Sequence, residues 1–136
     1  MHQIGAVASR AGLSLRTVRY YEEVGLVVPS GRTEGGFRLY TEDDIQRLLF
    51  VKQLKPLDFS LEELRTLLEL RDQLADAEDT DVRASLVDRL DAYADTAAER
   101  CSQLREQLEQ VEAVTRTLRH EVRAARHSTI EANNRH

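Results

Sequence analysis

Arg16, Thr17, Arg19 and Tyr20 follow closely on Ser14, a residue suited to start a helix. Arginine can read guanine edges in a major groove, and Arg, Thr and Tyr can all hold phosphate oxygens. The start of a helix adds free N–H groups and a partial positive charge, both suited to a phosphate. A second set follows at Arg32, Phe37, Arg38 and Tyr40. Together these residue types offer recognition of anions and base edges rather than bond making. Neither a nucleophile–base pair nor a metal-ligand triad accompanies them, and Gly35-Gly36 reads as a turn, not a phosphate-cradling loop. Any one arginine could be solvated surface charge. Their joint placement on a helix, a loop and a returning strand argues for a shared face.

The local pattern says what must position them. Ile4, Val7, Ala8 and Ala11 recur at helical spacing, and Gly12 supplies a stop. Ser14 then caps a second helix, expected over Leu15 to Val24 and ended by Gly25. Two short helices around a glycine-bearing turn read as a helix-turn-helix. Leu26-Val27-Val28 and Phe37-Arg38-Leu39-Tyr40 flank a loop containing Gly35-Gly36, so residues 26–40 read as a β-hairpin, a wing. Thr41 with Asp44 and Ser60 with Glu63 have capping-box spacing. They predict a third helix that ends before Pro56 and a fourth running to about residue 74.

From Val82 onward the chain contains neither glycine nor proline. Leu86, Leu90, Tyr93, Ala97, Cys101, Leu104, Leu108, Val111, Thr115, Leu118, Val122 and Ala125 recur in steps of three and four. That is the heptad seam of a coiled coil. A helix of some 45 residues would be about 65 Å long, too long for the head to bury. Its apolar stripe therefore calls for a second helix, and dimerisation follows from burial. Residues 128–136 lack the pattern and are expected to be a disordered tail.

Charge is divided along the chain. The net charge is −5, but residues 1–55 hold 8 Lys/Arg against 6 Asp/Glu, and residues 56–136 hold 11 against 18. DNA senses the face that docks, within a Debye length of about 8–10 Å. An acidic remainder is compatible with a DNA-binding head and is expected to point away from phosphates. There is no apolar run long enough to span a bilayer and no signal-peptide pattern. The expected location is cytoplasmic, with no membrane partner.

Residues 3–70 resemble the DNA-binding domain of the MerR family of bacterial transcription regulators. The matching stretches include Ile4-Gly5-Ala6-Val7-Ala8, the run from Gly12 through Arg19-Tyr20-Tyr21-Glu22, Gly36-Phe37-Arg38-Leu39-Tyr40 and Phe59-Ser60-Leu61-Glu62-Glu63-Leu64. The resemblance implies a mainly α fold with a winged helix-turn-helix over 1–75. An antiparallel coiled-coil dimerisation helix would follow over 76–127. It further implies that Ser14–Val24 enters the major groove while the wing lies along the backbone. As a homodimer the protein would bind an inverted repeat in double-stranded promoter DNA and distort it for RNA polymerase. Where the family has Leu-Gly-Phe, this chain has Leu57-Asp58-Phe59, and Asp58 is expected to tolerate the left-handed turn.

The resemblance also bears on what such a protein senses. Metal-sensing members carry cysteines at the start of the dimerisation helix and in a loop after it. Here Glu78-Asp79-Thr80-Asp81 stands at that start, and Cys101 is the single cysteine. No metal site and no cofactor are expected. Cys101 reads first as a small apolar seam residue. In an antiparallel pair spanning 82–125 the two-fold axis would pass near residue 103, which would let Cys101 meet its mate and respond to thiol oxidation. An effector-independent repressor and a winged-helix adaptor for protein contacts are the other readings. An enzyme is not expected.

Overall fold

The computed structural model describes residues 1–135. Its elements are β1 (His2–Gln3), α1 (Ile4–Ala11), α2 (Leu15–Glu23), β2 (Gly31–Arg32), β3 (Arg38–Tyr40), α3 (Glu42–Leu54), a short 3-10 turn (Lys55–Leu57), α4 (Leu61–Asp76) and α5 (Thr80–Asn134). The chain divides into two compact units, Met1–Ala94 and Asp95–His136. The division lies inside α5 rather than at the expected boundary near residue 75, because the first turns of α5 pack within the head.

The first unit is organised on the core formed by Val7, Ala8, Val18, Leu26, Val27, Tyr40, Ile45, Leu48, Val51 and Leu68. Local chemistry fixes where each helix begins. The Ser14 hydroxyl accepts the Thr17 N–H at 3.1 Å. Thr41 and Asp44 form a reciprocal capping box, as do Ser60 and Glu63. Asp44 is buried, and its carboxylate is satisfied by the Ser30 hydroxyl at 2.6 Å and the Thr41 N–H at 2.9 Å. Gly12 ends α1 at φ 65°, and an added Cβ there would lie 2.6 Å from Lys52 Nζ. That ammonium donates to the Ala11 carbonyl at 2.9 Å, tying α3 to the end of α1.

The wing differs from the expected hairpin. Leu26 and Val27 are not strand; they plug the core just after α2. The strands are shorter, and β3 is the centre of an antiparallel sheet in the order β1-β3-β2. His2 faces Tyr40, and Arg32 faces Arg38. The strand at His2–Gln3 had no sequence signal, because two residues show no alternation and their partner is distant in the chain. Asp58 adopts φ 56°, ψ 40°, the left-handed conformation expected of it.

α3 and α4 are joined by an Arg47–Asp72 ion pair at 2.6 Å and by Arg71 stacked 3.7 Å from the Phe50 ring centroid. Asp79 caps α5, accepting the N–H groups of Asp81 and Val82. Arg83 donates to the Leu74 and Ala77 carbonyls at 2.9 Å, fixing the turn between α4 and α5. Leu86 is buried in the head, and the Tyr93 ring lies 6.0 Å from that of Phe59. These two residues, expected on the dimer seam, instead face their own chain.

The second unit is the remainder of α5. The helix continues to Asn134, so residues 128–134 are helical rather than a disordered tail.

Candidate nucleic-acid interface

On α2, Val18 is the buried anchor, and Tyr21 packs beside it on the core. Helical spacing then turns Arg16, Arg19, Tyr20 and Glu23 to the opposite, solvent-facing side. Tyr20 is half exposed, its ring tilted against Tyr21 at 5.9 Å. Ser14 and Thr17 hydroxyls bond each other at 2.8 Å at the start of the helix. Their first task is therefore capping, although both stay accessible at its edge. At the other end Arg65 of α4 donates to the Val24 carbonyl at 2.5 Å. The exposed face of α2 is thus held at both ends, by a cap and by a charged hydrogen bond.

The wing is tied to this helix by one carboxylate. Glu22 accepts from Arg32 Nη2 at 2.5 Å and also from Arg38 Nε. Arg32 donates in addition to the Gly36 carbonyl at 3.0 Å, closing the wing loop on itself. In the sequence Glu22 stands only as the last residue of the family-like run Arg19-Tyr20-Tyr21-Glu22. With Glu23 beside it and two arginines before it on α2, nothing in the sequence singles Glu22 out for this clamping role. Hydrogen bonding to Glu22 raises the pKa of the Arg38 guanidinium above its ordinary value. Glu22→Ala leaves two guanidinium groups without this acceptor. We expect it to destabilise the head by about 1–2 kcal/mol, read from urea unfolding; unchanged unfolding would show the clamp to be ornamental.

Phe37 stands at the wing tip, 66% exposed, where Thr33 and Gly36 close the turn. Tyr40 does not join this surface. It is fully buried, so the expected phosphate contact is withdrawn, and its ring instead fills the core beneath the wing. Alternation along β3 alone would set Tyr40 on the same face as Arg38, but the strand ends at Tyr40 and its ring packs with Ile45 and Leu48 of α3. Among the described residues the Tyr40 hydroxyl has no hydrogen-bond partner, and burial pushes its pKa up. Tyr40→Phe is expected to keep operator affinity within about twofold and to hold or raise stability by about 1 kcal/mol. A large loss of DNA binding in that variant would restore Tyr40 to the interface.

Among the described residues no group of three or more His, Cys, Asp and Glu side chains is placed to hold a metal ion. No helix there is long and apolar enough to cross a membrane.

The family description "MerR HTH family regulatory protein" matches residues 3–70, and "MerR, DNA binding" matches residues 45–121. The chain belongs to the MerR family. Over 71 residues it is 49% identical to the HTH-type transcriptional regulator ZntR of Escherichia coli K12, covering 52% of this chain and 50% of that protein. It therefore spans about half the length of that curated relative. Over 117 residues it is 34% identical to the heavy metal-dependent transcription regulator 2 of Rhizobium meliloti, covering 86% of this chain and 71% of that one. Among solved structures, HiNmlR is described as a MerR family regulator lacking the sensor domain, bound to promoter DNA. It matches 82% of this chain and 84% of its own with a TM-score of 0.59 and 25% identity.

Proposed function

We propose that this MerR-family chain is a transcription regulator that binds promoter DNA as a homodimer. The observation that carries the reading is the outward row Arg16, Arg19 and Tyr20 on α2, beside a wing clamped to the same helix through Glu22. In this reading α2 enters the major groove, where Arg16 and Arg19 reach base edges or flanking phosphates. Arg32 and Arg38 line the wing side of the same face, and the exposed Phe37 ring rests on the sugar–phosphate backbone beyond.

Two such heads, joined through α5, read two half-sites of an inverted repeat. Bending and untwisting the promoter between them brings its elements into line for RNA polymerase, and phosphate contacts on both sides of the bend offset the deformation. The reading is of a binding protein of the cytoplasm, not an enzyme. The promoter-bound relative of similar coverage supports it.

A footprint on the DNA upstream of the protein's own gene tests it, in buffer of stated salt. The expected result is protection of an inverted repeat lying between promoter elements. Absence of protection at every salt concentration, with the dimer intact, would instead favour a winged-helix adaptor.

A further inference from the structure

The burial of Leu86 and the contact of Tyr93 with Phe59 remove both residues from the exposed face of α5. What remains obeys a strict heptad. One set of positions holds Val87, Ala94, Cys101, Leu108, Thr115 and Val122; the other holds Leu90, Ala97, Leu104, Val111, Leu118 and Ala125. Leu104, Leu108, Val111, Leu118 and Val122 lie open to solvent over successive turns. A continuous apolar stripe of this kind requires a cover.

The charges beside the stripe say what covers it. The flanking heptad position carries Asp91, Arg105, Glu112, Arg119 and Arg126, all exposed. Asp91 lies toward the start of the helix, Arg119 and Arg126 toward its end, and Arg105 and Glu112 between them, so a second copy running antiparallel can set acid against base at both the ends and the middle. We infer that two copies of α5 pair antiparallel in one register, with Cys101 packed against Val111 of the second copy and the two-fold axis level with Glu106. The inference rests on the homodimer reading above and adds its alignment.

Apolar layers alone leave the register open in steps of one heptad; the three that cover most of the stripe set Cys101 against Leu104, Val111 or Leu118 of the second copy. Helical side chains lean toward their own N-terminus, which fixes which flanking groups meet in each. With Val111 opposite, Asp91 meets Arg126 and Arg105 meets Glu112, each pair formed twice by symmetry. Leu104 and Leu108 then close the centre. With Leu104 opposite, Arg105 confronts its own mate. With Leu118 opposite, Glu112 confronts Glu112 and Arg105 confronts Arg119. Of these three, only the Val111 register forms both opposite-charge pairs and sets no like charges of this flank together, Arg119 there lying beside Ala98. It also moves the axis away from residue 103, where counting Leu86 in the seam had put it. The two Cys101 residues then sit about 15 Å apart along the axis, beyond the reach of a disulfide.

The native thiol makes the test direct. V111C, L104C and L118C, each in the full-length chain, report one register apiece through a bond to Cys101 of the second copy. Under mild oxidation with copper–phenanthroline, V111C is expected to form covalent dimers about tenfold faster than the other two. Wild type should form almost none. Faster cross-linking of L104C, L118C or wild type overturns the register. So does equal failure of all three variants when sedimentation shows a dimer. Sedimentation as a monomer overturns the homodimer reading itself. A charge exchange supplies a second readout: D91R is expected to weaken the dimer and D91R/R126D to restore it. Failure of the double variant to recover dimerisation would also overturn the register.

Discussion

Arg19→Ala is expected to weaken binding to the operator by about 1–3 kcal/mol, roughly five- to 150-fold, at about 0.15 M salt. The residue is exposed on the outward face of α2, one turn from the cap, while its neighbour Val18 anchors the helix in the core. Removing the guanidinium therefore leaves the fold intact. Two patterns of loss separate its roles. A base-reading arginine loses discrimination at one position of each half-site, while binding to unrelated DNA hardly changes. A phosphate-binding arginine weakens all sequences alike and flattens the salt dependence by about one unit of slope. Arg16→Ala lies nearer the N-terminal end of the helix and is expected to show the same class of effect. Wild-type affinity and slope in both variants would remove α2 from the interface.

Much of this arrangement was legible because it is written in local chemistry. Ser14, Thr41 and Ser60 announce helix starts by side-chain reach alone, and each makes the predicted cap. Gly12 and Asp58 mark left-handed turns for the same reason. The outward row on α2 followed from periodicity once Val18 was placed inside. Long-range facts were not legible. Tyr40 carries a polar group and sits in a motif with Arg38, yet only the packing of α3 under the wing decides that it is buried. Glu22 reaches two arginines that lie ten and sixteen residues away, through the wing's closure and not through any spacing rule.

The seam of α5 shows the same division. Steps of three and four describe two adjacent stripes equally well. One carries Leu86 and Tyr93, the other Val87 and Ala94. Leu86 is buried while Val87 remains 48% exposed, and that difference selects the second stripe for a partner. It arises from Phe59 and the head around it, which periodicity within the helix cannot report.

Leu108→Glu should convert the dimer to monomer at micromolar concentration and reduce operator affinity about 100-fold or more, without changing affinity for an isolated half-site. Leu108 is 56% exposed within its own chain, so the head loses no packing when it is replaced. In the paired helices it lies next to the two-fold axis, and symmetry counts every change twice. Each leucine forgoes about 1.5–3 kcal/mol of burial. Each glutamate brings a charge into an apolar layer, a cost that the flanking Arg105 offsets only in part, beside Glu109 and Glu112 of the same helix. The DNA effect follows from geometry rather than from contacts. Two tethered heads bind the second half-site at an effective concentration set by the linking helix, a gain of about 10²–10⁴ that separate heads lack. Half-site binding measured with the same protein isolates this term, because α2 and the wing are untouched. Retention of a dimer by Leu108→Glu would place the subunit contact elsewhere in the chain. Loss of the dimer with full operator affinity would show that each head binds its half-site independently, and that the long helix serves some purpose other than joining them on DNA.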